Sequence, residues 1–204
     1  MPFSAVLRQR QLVFQRDGQA LLTVPLDQGG RYRLVAPEPA DIVAAVAAME
    51  AVPGVVVLPA DGGLLGAMTV SANLSLALCH GQEVDAAMLD EWEHKIQLAF
   101  RLCGVSDERV LALGREQPMR LERLERWLTG FVLQLLRPAE VLVLDRAFAG
   151  LSRRQAERLI AMEAVYHEFH PFRPVIFVDL DAHGLPQLPQ CRQSVELESQ
   201  ACPS

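Results

Sequence analysis

Residues Leu121–Ser152, LERLERWLTGFVLQLLRPAEVLVLDRAFAGLS, organise the reading of the chain. The stretch predicts a helix, a turn at Arg137-Pro138, a buried strand Val141–Leu144 and a carboxylate, Asp145, at the strand's C-terminal end. Pro138 stops the helix because it has no N–H and its ring clashes with the preceding turn. Four consecutive apolar residues mark a strand covered on both faces. In α/β sheets ligands bind at the C-terminal ends of strands, so Asp145 stands where a site is expected.

The same residues resemble the part of an ABC-transporter ATPase that runs from the signature motif through Walker B to the D-loop. The family pattern is LSGGQxxRxxxARALxxxPxxLLLDEPxxxLD. Leu121–Glu125 stands at LSGGQ, and Leu135-Leu136-Arg137-Pro138 at the helix end. Val141–Asp145 matches Walker B, and Ala149-Gly150-Leu151-Ser152 matches the D-loop. The scaffold positions agree, while the chemical positions mostly do not. Arg146 replaces the glutamate that orients or deprotonates water. An arginine cannot act as a base, because it stays protonated in proteins. Arg146 is expected to pair with Asp145 or another acid, the alternative being that it binds a stray anion. Glu122, Arg123 and Glu125 replace the serine and glycines of the signature and read as solvated helix charges.

Upstream, the pattern predicts strands and turns over residues 4–35. Arg16-Asp17-Gly18 reads as a hairpin turn, and Arg31–Val35 as a further strand. Ala36-Pro37-Glu38-Pro39-Ala40-Asp41-Ile42-Val43 then leads into an alanine-rich helix. In the resemblance this is the Walker A position, GxxGxGK[ST]. A phosphate cradle needs glycine N–H groups, a lysine and a hydroxyl. Ala36, Pro39 and Asp41 stand at the glycines, Ile42 at the lysine and Val43 at the hydroxyl. Lys95, the chain's only lysine, lies in an unrelated segment. Asp41 is expected to N-cap the helix, with Glu38 beside it favouring the helix's positive end. Together they would put the protein's own negative charge where a phosphate would sit. A like charge about 4 Å from an anion costs on the order of 4 kcal/mol at an effective dielectric of 20.

Val55–Pro59 predicts another buried strand. The segment after it resembles the family's Q-loop region, with Thr69-Val70 and Asn73-Leu74 in place. Ala60 stands where the metal-sensing glutamine would be. Leu64, Leu65 and Met68 survive, and the resemblance places them against the permease. The other reading of the three is simple core. Residues 72–118 read as helices, with Asp85–Cys103 amphipathic and Gly104 ending it. Cys103-Gly104-Val105 resembles the LGL before the signature. The TVxxN…LxxxGV layout is similar to that of the Mla-like lipid importers. Downstream come a helix Arg153–Phe169, a strand Pro174–Val178 and a last strand near Val195–Glu198. Leu180 stands at the family's switch histidine, and His183 falls three residues late. His167 and His170 sit at a helix end, where the dipole favours them. No third metal ligand is evident beside them.

The chain has 204 residues, half of them hydrophobic, and a net charge of −6. That balance disfavours nucleic acid, which asks for a basic face. No stretch reaches the ~18 apolar residues of a membrane span. No apolar run follows Arg8 and Arg10, so no signal peptide is expected. Cys79, Cys103, Cys191 and Cys202 are scattered and read as free thiols.

The resemblance covers about residues 20–185. It implies an α/β, P-loop NTPase-like (ABC ATPase) sheet flanked by helices. An N-terminal antiparallel β-lobe and a helical lobe inserted at about 72–125 complete a single domain, residues 1–204. The lost motifs imply a pseudo-ATPase with no cofactor and no metal. Its expected role is structural or regulatory, on the cytoplasmic side of the inner membrane, in lipid or hydrophobic-solute transport. Its expected partners are a permease and a second ATPase subunit, as a homodimer or with an active partner. Two alternatives stand beside this: a weakly nucleotide-binding half of a heterodimeric ATPase, and a stand-alone interaction module.

Overall fold

A computed structural model describes residues 4–79, 85–137, 139–180 and 191–197. The chain forms two compact units. The first comprises Met1–Ala60, Ala139–Gly150 and Pro171–Ser204; the second comprises Asp61–Pro138 and Leu151–His170. The helical unit therefore takes in more chain than residues 72–125.

The first unit opens with an antiparallel sheet of β1 (Ser4–Arg8), β2 (Gln11–Arg16) and β3 (Gln19–Pro25), in that spatial order. The β2–β3 turn is Asp17-Gly18, both residues left-handed at φ 51° and 78°. This is the Asp-Gly hairpin the sequence predicts, since such a turn needs positive φ twice. The β1–β2 turn lacks that signature. Gln9 and Arg10 fill it at φ 46° and 61°.

A five-stranded parallel sheet follows, ordered β5-β6-β7-β4-β8. Its strands are β4 (Arg31–Ala36), β5 (Val55–Leu58), β6 (Val141–Asp145), β7 (Val175–Leu180) and β8 (Gln193–Glu196). All five residues of β6 are buried, which explains its unbroken apolar run. The last strand starts two residues earlier than Val195, and Glu198 lies outside the described residues. Helix α1 (Pro39–Glu50) buries Ile42, Ala45 and Met49 in one core with Leu34, Val143, Ile176 and Val178. Leu12 and Phe14 of β2 reach the same core.

The second unit is helical: α2 (Val70–Cys79), α3 (Ala86–Leu102), α4 (Asp107–Arg115), α5 (Arg123–Leu136) and α6 (Arg153–Phe169). Asp85 caps α3 by accepting from Met88 N–H at 2.8 Å, and Gly104 leaves the helix at φ 79°. Helix α5 begins at Arg123 rather than Leu121. Glu122 holds the cap position, and its N–H donates to Glu125 Oε2 at 3.3 Å. Pro138, the residue read as stopping α5, lies outside the described residues; the helix itself ends at Leu136. Trp127 and Phe131 stack inside the unit at 4.8 Å between centroids.

The spacing of Thr69 and Asn73 acquires a structural reason here. Thr69 Oγ1 accepts the Ala72 N–H at 3.3 Å and starts α2. Buried Asn73 accepts from Leu65 N–H at 2.7 Å and donates to the carbonyls of Leu65 at 3.1 Å and Thr69 at 3.0 Å. One side chain thus closes the whole loop before α2. Gly62 anchors the loop's start. Its φ is +87°, and a Cβ there would lie 2.1 Å from the Arg126 carbonyl oxygen.

Candidate functional site

The C-terminal tips of three adjacent strands, β6, β7 and β4, meet within the first unit. Asp145 pairs in register with Val178, Val35 with Asp179, and Ala36 with Leu180. The order of the sheet therefore gathers Asp145, Leu180 and Ala36, which are far apart in sequence.

Asp145 is buried, its side chain 3% exposed, and Arg146 covers it. Arg146 Nε donates to Asp145 Oδ1 and Nη2 to Oδ2, each at 2.8 Å. Such a fork matches both carboxylate oxygens at once. Backbone geometry makes this possible. Arg146 is left-handed at φ 45°, and its N–H still continues the ladder to the Val178 carbonyl at 2.9 Å. The bond to Asp145 pushes the Arg146 pKa up from its ordinary value. The pairing expected from the sequence is thus formed, and both oxygens that a cation would seek are engaged.

Asp179 lies one strand over. Burial raises its pKa, the charge of Arg33 works against that rise, and the bond from Leu180 N–H at 3.0 Å opposes it further. Two carboxylates and two guanidiniums share this end of the sheet, so their formal charges cancel. Leu180 itself is partly exposed and brings no titratable group.

The link from β4 to α1 departs most from expectation. Strand β4 ends at Ala36 and α1 starts at Pro39, leaving only Pro37 and Glu38 between them. Pro39 and Asp41–Val43 are therefore already helical. A glycine loop that wraps phosphate needs its successive N–H groups free of the helix. Here Pro37 and Pro39 have none, and the N–H groups of Asp41 and Ile42 both point to the Glu38 carbonyl, at 3.1 and 3.3 Å. Ile42 is fully buried in the core, while Val43 is exposed.

Asp41 does not cap α1, contrary to the sequence reading. The helix begins two residues before it, because Pro39 presets φ for the first helical position. Glu38 takes the cap position without a side-chain bond, and Asp41 stays in the first turn, where a carboxylate still suits the dipole.

Other candidate residues lie elsewhere. Ala60 lies near the start of the loop that follows β5 and is half-buried. In the helical unit, Leu64 and Met68 are half-buried and Leu65 is 52% exposed, so none of the three is simple core. Leu121 and Leu124 are buried, and Glu125 accepts from Arg109 Nη2 at 2.6 Å. Leu121–Glu125 is thus a helix start bound to α4. His167 lies 3.2 Å from Glu163, and His170 Nε2 meets the Leu135 carbonyl at 2.8 Å. The two histidines take separate partners. Among the described residues no group of three His, Cys, Asp or Glu could hold a metal. His183 lies outside the described residues. Cys103 is buried, which pushes its thiol up to about 12 and keeps it unreactive.

No protein-family model matches the sequence, and no curated protein matches it. Solved structures do match the fold. CbiO1 from Clostridium perfringens, part of the ABC transporter complex cbiONQ, gives a TM-score of 0.61 at 12% identity, over 89% of this chain and 80% of its own. A protein from Pyrococcus furiosus described as an ABC transporter ATP-binding protein gives 0.62 at 16% identity, over 92% and 95%. The ATP-binding cassette MJ0796, solved as a dimer bound to ADP and Pi, gives 0.56 at 8% identity, over 90% and 86%. This chain has the ABC-transporter ATPase fold: a parallel sheet with helices and an antiparallel β-sheet. Among the described residues, no helix is long and apolar enough to cross a membrane.

Proposed function

We propose that this chain is a non-catalytic ATPase-like subunit of a membrane transporter complex, with a structural or regulatory role. The observation that carries the reading is the link of Pro37 and Glu38 between β4 and α1. A triphosphate is held chiefly by main-chain N–H groups at this turn. Here two of the positions are proline, two N–H groups are spent on Glu38, and Glu38 and Asp41 add negative charge. The fork of Arg146 on Asp145 supports the same reading, because a magnesium ion would have to displace a guanidinium.

Under this reading the chain works by binding. It sits on the cytoplasmic face of the inner membrane and docks a permease through the loop held by Asn73, where Leu64, Leu65 and Met68 are accessible. It pairs with a second copy or with an active ATPase subunit. Paired with an active subunit, it would supply neither a phosphate loop nor a signature motif, so neither composite site would be complete. The likeness to subunits of transporter complexes supports a transporter role, and the exchange of Leu65 tests the permease contact.

Titration of the purified chain with a fluorescent ATP analogue and Mg²⁺ tests the core of the proposal. No saturation below about 1 mM is expected. Micromolar affinity would overturn it.

A further inference from the structure

At the end of the first unit's sheet opposite Asp145 lies an open groove of about 820 Å³. Its walls are the N-terminal ends of the parallel strands on one side and β1 with its turn on the other. A groove against one face of a strand meets every second residue, because side chains alternate. This groove meets every residue from Ala5 to Arg10, so it runs along the edge of β1. Among the described residues, strand β1 is outermost in its sheet and pairs only with β2. One row of its main-chain N–H and C=O groups is therefore left without a strand partner among the described residues, and such a row templates strand addition.

The charge of the groove is selective. Arg8, Arg10 and Arg173 line it against one carboxylate, Glu140, in a chain whose net charge is −6. Among the described residues no ion pair engages Arg8 or Arg173. Phe172, 68% exposed, and Pro53 add apolar surface on the facing wall. Gln9 and Arg10 are both left-handed without being glycine, and the Arg10 carbonyl is tied to Leu26 N–H at 2.7 Å.

We propose that the edge of β1 accepts an acidic, extended peptide of a partner protein as an added strand. The peptide's main chain pairs with β1, and its carboxylates meet Arg8 and Arg173. Five paired residues would span about 17 Å. Main-chain pairing supplies affinity, and the arginines supply the preference for acid. This surface lies at the end of the sheet opposite Asp145.

The test uses the full chain and a fluorescein-labelled octapeptide of alternating glutamate and valine, followed by anisotropy. Saturable binding is expected, weakening about tenfold in the Arg8→Glu/Arg173→Glu variant. An added strand turns alternate N–H groups toward β1. N-methylation of one alternate set should therefore abolish binding, and methylation of the other set should leave it. Equal binding by both methylated peptides, or no saturation below about 1 mM, would overturn the proposal. Displacement of the peptide by equimolar dodecyl phosphate would overturn it too, assigning the groove to a small amphiphile.

Discussion

Arg146 folds back on the residue before it and holds both oxygens of Asp145 in a two-pronged bond, 2.8 Å on each prong. Adjacent residues of a strand normally point to opposite faces. The left-handed turn at Arg146 reverses that and lets one residue neutralise the other.

Removing the guanidinium should therefore cost stability. Arg146→Ala leaves Asp145 buried and unpaired. The expected loss is about 1–3 kcal/mol, below the full figure for a buried pair because the arginine is 40% exposed. Chemical denaturation at pH 7 measures it. Arg146→Glu, which places a carboxylate where the proposed reading holds that one has been lost, should lose more and gain no ATP hydrolysis above background. A measurable turnover in that variant would show that the β4–α1 link does not block nucleotide.

Asp179 predicts a pH dependence. Its folded pKa is raised by burial, so the folded state favours the protonated form more than the unfolded state does. That contribution is fully present below the ordinary carboxylate range, about pH 4, and is lost as pH rises through the raised value. Asp179→Asn should raise the melting temperature at pH 7 and give no gain near pH 4. Asparagine keeps an oxygen for the Leu180 N–H. Melts between pH 4 and 8 check the sign; a gain at pH 4 equal to that at pH 7 would refute it.

Asn73→Ala removes the clamp on the loop from Gly62 to Thr69. With the Leu65 N–H and two carbonyls left without it, the expected cost is about 2–3 kcal/mol. Limited proteolysis should then cut near Leu65 before the wild-type chain is touched. An unchanged cleavage pattern would mean that the loop is held by something else.

Two glycines with similar backbone angles should differ sharply. Gly18 has φ +78° and open space, whereas Gly62 has φ +87° and a carbonyl oxygen 2.1 Å from where a Cβ would sit. Gly18→Ala should cost about 1 kcal/mol, from the left-handed angle alone. Gly62→Ala should cost more than twice that, because main chain must also move. Thermal melts of the two variants decide it.

The sequence by itself determined the order of elements and the broad fold. The apolar run of β6, the Asp-Gly turn and the capped α3 are local signals, carried by side-chain period and backbone preference. The sequence missed the Gln9-Arg10 turn, which has no glycine or asparagine to betray it, and it put the cap of α1 at Asp41 where Pro39 starts the helix earlier. Only the tertiary structure decided what lies beside what. The parallel order β6-β7-β4 brings Asp145, Asp179 and Ala36 to one edge, and pairing between strands distant in sequence leaves no periodic trace. The same holds for the groove at the opposite end, whose arginines come from positions 8, 10 and 173. Their convergence depends on long-range packing, which no local pattern encodes.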